Sequence, residues 1–396
     1  MPPDAPPSGL LKSSPRRSTR YRSLDAWRGL TCLLLVVFHS TMHVTPRRES
    51  AATWGDHFGY VLMVLTTYMN VGVPIFFVIS GYCIMATLNA RQQDGQGVGD
   101  YFQRRFRRIF PPYWAALLVS AVTIWSLERF VCSGLFTRSA FKMNAPERLS
   151  SAEWLGNVTL TESWLSTLMG RDSHYVFGHA WTLCFEEQFY ALAGFVLLFA
   201  PKRKYLAFSL FTALVPAILI LSHWKGVPLA GTIVGGEWFF FAAGIAAYYA
   251  TQSTGEVGRR YVLVLLAAAI FLPILDSRRF ILHDSHARFN WLIAMLSAFL
   301  LSAFHQYDER ISSWRPVRAI SSCGQMCYSL YLIHPLVTTG VGHAFYRSGL
   351  RGNWDTLLVT IPVSVSLSLA SGIAFYYLVE RYFLNTRSQL VPVSAA

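Results

Sequence analysis

Arg28 and His39 share one apolar segment, Ser23 to Ser40, among Leu30, Leu33, Leu34, Leu35, Val36, Val37 and Phe38. Ionisable side chains at membrane depth are costly and mark functional sites by default. The two are eleven positions apart. That is close to three helical turns, so both lie on one face, roughly 16 Å apart along the axis. An imidazole can accept a proton near neutral pH. A guanidinium grips an anionic phosphate through paired hydrogen bonds. The bland alternatives are a histidine bonded to a main-chain carbonyl and an arginine that snorkels to the surface. His43 lies one turn beyond His39, a metal-ligand spacing. No intervening Glu and no third ligand accompany it, so no metal is expected.

Other ionisable groups cluster further on. Arg104, Arg105, Arg107 and Arg108 follow Tyr101-Phe102 and form a concentrated face for a polyanion. They would equally serve as topology-setting charge. Pro111 and Pro112 are expected to break or begin a helix there. Glu186 and Glu187 follow Trp181. They point about 100° apart on a helix, so one of them faces the core. A carboxylate there could orient the His39 imidazole or stabilise its charge, and a capping charge is the alternative. Ser80-Gly81 inside an apolar helix serves close packing as well as contact with a substrate. Tyr328, Ser329 and His334-Pro335 sit together. Pro335 should kink its helix and free a carbonyl, and His334 reads as a structural histidine. Glu237 is isolated and carries little weight.

The elements that must position these groups are helices in a bilayer. Of 396 residues, 53% are hydrophobic and 14% charged, a membrane composition. Runs of about twenty apolar residues fall near 27–45, 70–89, 110–131, 181–200, 205–223, 232–250, 260–276, 289–305, 319–341 and 355–379. The predicted fold class is therefore all-α, a polytopic membrane protein with about ten transmembrane helices. The apolar stretch 58–69 is short and reads as an interfacial or re-entrant lead-in. Residues 1–22 form a basic, proline-rich tail with no cleavage site after the apolar run, so the first helix should be retained. Residues 23–384 form the transmembrane domain and 385–396 a second tail, with no internal repeat. Lys and Arg are denser on the segments that share a side with the N-terminus, which places both termini in the cytoplasm. The net charge of +13 thus reads as topology, not as a nucleic-acid site. The long exterior loop 132–180 is the place to recognise an external acceptor, and it contains a sequon-like Asn157-Val158-Thr159. All cysteines but Cys132 fall in apolar runs, and Cys323 and Cys327 share a helix face without suggesting zinc.

The string Leu24-Asp25-Ala26-Trp27-Arg28-Gly29 followed by His39 resembles the first helix of the acyltransferase-3 family of integral membrane acyltransferases. Four more stretches match in order: Phe76 to Tyr82, Arg104 to Trp114, Trp181 to Tyr190 and Cys327 to Pro335. The resemblance spans about 21 to 384. It implies a membrane O-acyltransferase that moves an acyl group, acetyl by default, from acyl-coenzyme A to a hydroxyl, often on an extracytoplasmic sugar. It implies His39 as the base and Glu186 as the better of the two carboxylates. Arg28, Arg105, Arg108, Ser80 and Tyr328 become candidates for donor or substrate binding. Thr182 stands where relatives have Ser, and Tyr82 where they mostly have Phe. No cofactor is expected to be bound, with acyl-coenzyme A as co-substrate. The partners are a carbohydrate or other hydroxyl acceptor and the bilayer of a cell (inner) membrane. Some relatives carry an added hydrolase-like domain after the last span, and none is expected here.

A different class stays open on the residues alone. A secondary transporter or flippase also uses membrane His, Glu and Arg as a proton relay. Transporters commonly show inverted repeats, and this sequence has none. A non-catalytic receptor for coenzyme A or lipid is a third reading.

Overall fold

The computed structural model describes residues 21–48, 53–95, 97–131, 133–136, 143–252 and 285–384. Its regular elements are helices, apart from one isolated bridge between Met143 and Tyr175. The predicted run 260–276, both distal tails and Cys132 lie outside the described residues. By length and composition, six helical stretches can cross a membrane: Trp54–Asp94, Val98–Phe130, Gly178–Phe199, Pro201–Lys225, Arg288–Ser312 and Asn353–Leu378. The molecule is an all-α, multi-pass integral membrane protein. Leu118 and Val122 on one helix and Leu210 and Leu214 on another point outward, as lipid-facing positions do.

Helix α1 is Leu24–Thr41. Its first turn is held from a distance. Asp308 accepts from the main-chain N–H groups of Arg22 and Ser23, at 2.7 and 2.8 Å. A carboxylate there satisfies orphan donors and suits the positive end of the helix. Tyr21 is buried, and its hydroxyl donates to the Leu301 carbonyl at 3.0 Å. Tyr21 and Arg22 are thereby tied to the bundle.

Helix α2 is Trp54–Thr67, opened by a Thr53–Asp56 capping box. A 3-10 turn, Tyr68–Val71, joins it to α3, Gly72–Asp94. The stretch 58–69, expected as a lead-in, is therefore mostly helix within a continuous 41-residue run. Helix α4 is Val98–Phe130 and passes straight through Pro111 and Pro112. The expected break is absent, because packed neighbours in a bundle tolerate the freed carbonyls. Arg91 locks the α3–α4 turn by donating to the carbonyls of Gly97 and Asp100, both at 3.1 Å.

Two short helices, α5 (Ser151–Thr159) and α6 (Glu162–Leu168), order the segment between α4 and α7 from residue 143 on. Asn157 is buried there. It donates to the carbonyls of Glu153 and His174 and accepts from the Val176 N–H. Asn157 of the sequon-like triplet is thus an internal bracket in the fold. Helices α7 (Trp181–Phe199) and α8 (Lys204–Lys225) follow. Helix α9, Trp238–Gln252, starts later than the run 232–250 predicts. Residues before it make turns around Gly231, at φ +73°, where a Cβ would sit 2.1 Å from the Ser163 carbonyl oxygen. Only glycine fits both demands.

Helix α10 is Ser285–Phe304, α11 Arg315–Gln325, α12 Cys327–Arg347 and α13 Ile361–Leu378. The predicted span 319–341 is two helices, broken at Met326, so Cys323 and Cys327 do not share one helix. Gly324 sets how the first piece packs. A Cβ there would lie 1.7 Å from the Asp25 carbonyl oxygen, so α11 is laid hard against the start of α1. The same device joins α3 to α9, where a Cβ on Gly244 would meet the Val78 carbonyl oxygen at 1.9 Å. Small residues at such crossings let membrane helices pack by backbone contact.

Candidate active site

Helices α1, α3, α4, α7 and α12 surround a cavity of about 1280 Å³. All seven predicted site residues line it: Arg28, His39, Ser80, Arg105, Arg108, Glu186 and Tyr328. Helical periodicity does the positioning. On α3, Phe76, Ser80, Cys83 and Thr87 recur every three or four residues along the wall, and on α7 Thr182, Glu186 and Tyr190 recur every four. Glu187 points elsewhere, and its Oε1 is buried without a partner. On α4, Arg105 and Arg108 face the cavity, while Arg104 and Arg107 are exposed.

One region of the cavity is charged. Arg28 donates to Cys83 Sγ at 3.1 Å and lies 3.7 Å from Asp25. Arg105 donates to Thr87 at 3.5 Å and stacks its guanidinium 4.5 Å over the Tyr190 ring. Glu186 accepts a hydrogen bond from Ser80 and a longer one, 3.4 Å, from Tyr190. Its carboxyl also interacts electrostatically with Arg105, Arg28 and Arg108. Glu186 is thus the hub of the arginine cluster. The expectation that it orients His39 is corrected by these partners, and that role passes to another residue.

That residue is His334. Its Nδ1 is 2.8 Å from the Leu330 carbonyl oxygen. A carbonyl only accepts, so Nδ1 carries the hydrogen and Nε2 of the neutral ring is an acceptor. His39 Nδ1 sits 2.8 Å from that Nε2 and therefore donates to it. The lone pair of a neutral His39 is then on its Nε2. The two rings lie nearly parallel, with centroids 5.0 Å apart and 10° between planes. His334 is structural in its own bonds and, through them, fixes the tautomer of the candidate base.

Tyr328 donates to the Ile109 carbonyl at 2.8 Å. It ties α12 to α4 where Pro111 and Pro112 interrupt the helical ladder. Tyr331 donates to the His179 carbonyl at 2.7 Å and shares a 2.8 Å contact with Thr182. The hydroxyl that Thr182 keeps in place of Ser is therefore in use. Tyr82 meets Thr251 at 3.3 Å. His43 does not line the cavity and packs edge-on to His343 instead, with centroids 6.4 Å apart. Among the described residues, no three His, Cys, Asp or Glu side chains converge as metal ligands.

Two residues escaped the reading of the sequence. Glu380, just past α13, is buried and accepts from the Ser329 hydroxyl and N–H, at 2.5 and 3.0 Å. It also interacts with Arg108. In sequence it looks like charge at the end of a span. His179 precedes α7 by two residues and lines the cavity. Its only signal was a third imidazole beside a motif of interest.

Segment 143–180 lines the other end. Asn144, Ser163, Thr167, Asp172 and His174 line the mouth. Arg171 pairs with Glu162 through two hydrogen bonds, at 2.6 and 2.9 Å. His174 Nδ1 meets Glu153 at 2.5 Å. Burial pushes the Glu153 carboxyl up, but hydrogen bonds from His174 and Ser150 outweigh it and hold the pKa at about 2.

A helical membrane bundle whose cavity joins a guanidinium cluster to an imidazole pair has the groups that an integral membrane transferase needs. The chain belongs to the acyltransferase-3 family, whose acyltransferase domain matches residues 21–375. It is an acyltransferase that transfers groups other than aminoacyl groups. A protein of Komagataeibacter xylinus named as a membrane-bound transacylase, BcsY, is 25% identical over 390 residues, 95% of this chain and 86% of that one. The peptidoglycan O-acetyltransferase OatA of Listeria monocytogenes is 22% identical over 352 residues, 82% of this chain and 51% of that one. The acyltransferase MdmB of Streptomyces mycarofaciens is 30% identical over 155 residues, 38% of this chain and 36% of its own. No solved structure matches the chain.

Proposed function

We propose that this membrane acyltransferase carries an acyl group, acetyl by default, from acyl-coenzyme A on the cytosolic side to a hydroxyl on an extracytoplasmic sugar or glycan. The observation that carries the reading is that Arg28, Arg105, Arg108 and His39 line one cavity. Guanidinium groups suit the phosphates of coenzyme A. Arg28 and His39 are separated along α1 by roughly 16 Å, so an extended thioester arm anchored at the arginines reaches the imidazole. Polar loop residues at the mouth suit a polyhydroxylated acceptor, and the name of the Listeria relative supports a glycan. The density of Lys and Arg on one side supports cytoplasmic termini, and we place the protein in the cell's inner membrane.

In the reaction, His39 Nε2 takes the proton of the acceptor hydroxyl as its oxygen attacks the thioester carbon. The carbon–sulfur bond breaks and the thiolate leaves, taking the proton back from His39. The products are the ester and free coenzyme A thiol. His334 keeps the lone pair directed at the acceptor throughout.

The test uses purified protein in liposomes with radiolabelled acetyl-coenzyme A and a set of acceptors: water, a hexose oligosaccharide and a peptidoglycan fragment. Label should pass to a saccharide, and His39→Ala should lower turnover by about 100-fold or more, the usual contribution of a general base. Near-normal turnover in folded His39→Ala sinks the assignment. Movement of label across the membrane without ester formation favours a transporter.

A further inference from the structure

His179 is buried, 6% exposed, on the cavity wall. Neither ring nitrogen has a hydrogen-bond partner. Buried polar atoms in native proteins are bonded almost without exception, so such a ring calls for an explanation. The ring is held firmly. Its own main-chain carbonyl accepts from Tyr331, and its ring stacks on Phe177 at 4.8 Å and meets Tyr331 edge-on at 4.7 Å between centroids. The Tyr331 carbonyl, deprived by Pro335 of its helical donor, lies beside the ring without closing a hydrogen bond of good geometry. His334 is 5.7 Å away. His39 and His179 thus flank the same imidazole, and the three rings ring one corner of the cavity.

We propose that His179 donates a hydrogen bond to the acyl carbonyl oxygen as it gains charge. The inference rests on the acyl-transfer reading above. As the acceptor oxygen bonds to the thioester carbon, the carbonyl electron pair moves onto oxygen. That oxyanion needs a fixed donor within a dry site. His39 is occupied with the acceptor proton, and His334 has both nitrogens engaged. His179 is the remaining imidazole of the group. A neutral imidazole supplies one N–H, which is enough for this task. When the oxyanion collapses, the carbon–sulfur bond breaks and the hydrogen bond weakens again, so no proton is transferred to or from His179.

The experiment compares His179→Phe, which keeps the ring and removes both nitrogens, with His179→Asn and His179→Gln. The two amides place an N–H near the Nδ1 and Nε2 positions respectively. Release of coenzyme A thiol is followed with acetyl-coenzyme A and the acceptor set above. We expect kcat of His179→Phe to fall about 100-fold or more, with KM for acetyl-coenzyme A within about twofold. One amide variant should recover at least about tenfold, and coenzyme A binding by calorimetry should match wild type. Turnover of His179→Phe within about threefold of wild type overturns the proposal. So does a loss confined to KM, or the failure of both folded amides to recover rate. If the phenylalanine variant does not fold, His179→Ala against the two amides reads the same outcomes. Active wild type with an equally active His179→Phe refutes this inference alone, whereas wild type that forms no ester refutes the acyl-transfer reading and this inference with it.

Discussion

Replacing His334 by Ala isolates the tautomer argument. The substitution deletes the acceptor of His39 Nδ1–H and the donor to the Leu330 carbonyl. A buried donor left without its acceptor costs about 1–3 kcal/mol. The His39 ring escapes that cost by rotating or by moving its proton to Nε2, and either change removes the lone pair from the acceptor hydroxyl. At 1.36 kcal/mol per factor of ten, kcat should fall roughly 10- to 100-fold. The arginine cluster is untouched, so KM for the donor should stay within about twofold. The assay is steady-state thiol release from acetyl-coenzyme A by protein in liposomes. A sharper arm is the double variant. If His334 acts only through His39, then His39→Ala/His334→Ala loses no more than His39→Ala alone, because residues that work as a unit are strongly non-additive. Multiplying losses would show that His334 has its own role, and an unaffected His334→Ala would refute the relay outright.

Two further outcomes follow from other parts of the cavity. Arg105→Gln/Arg108→Gln should weaken coenzyme A binding at least about tenfold, since each charge-assisted bond contributes about 1.5–3 kcal/mol. Calorimetry on correctly inserted protein checks this, and wild-type affinity rules out the donor site. Glu153 has a folded pKa of about 2 against an ordinary 4.5. Its stabilisation of segment 143–180 is therefore complete above the ordinary value and is lost as pH falls from about 4.5 toward 2. Proteolysis of segment 143–180 should rise across that window in wild type and start from a raised level in Glu153→Gln. Identical profiles for the two proteins would contradict it.

The residues of the site were legible in the sequence because each stands out against an apolar background. Arg28, His39, Glu186 and the arginine pair are expensive to keep in a membrane, so their presence alone flags them. Their pairings were not legible. Which nitrogen of His39 meets what depends on α12 crossing α1, and no local pattern encodes that crossing. Glu186 was assigned to His39 because both were candidates. The fold sends it to Ser80 and the guanidinium groups. Helix ends were misread where tertiary contact overrides local preference. A helix ends at Met326 within the apolar run 319–341, which no local signal in that run announces. Pro111 and Pro112 fail to end one because neighbours pack around them. His179 went unnoticed for a simpler reason: its two unpartnered nitrogens are visible only in three dimensions.

The distribution of charge along the cavity is itself an argument about mechanism. Each guanidinium of the cluster has an acidic neighbour: Asp25 for Arg28, Glu186 for Arg105 and Glu380 for Arg108. A guanidinium in so apolar a setting is tolerable only when paired. The carboxylates therefore offset the charge of the cluster with no donor bound. Around His39 the arrangement changes. His334, Tyr331 and Thr182 are there, an imidazole and two hydroxyls that bond His39, one another or the main chain, together with the unpartnered ring of His179. Fixed dipoles without permanent charge suit a step in which charge appears on the acyl oxygen and vanishes again, because they need no counter-ion before or after it. Full charge is placed where phosphates must be gripped, and oriented dipoles where the thioester reacts.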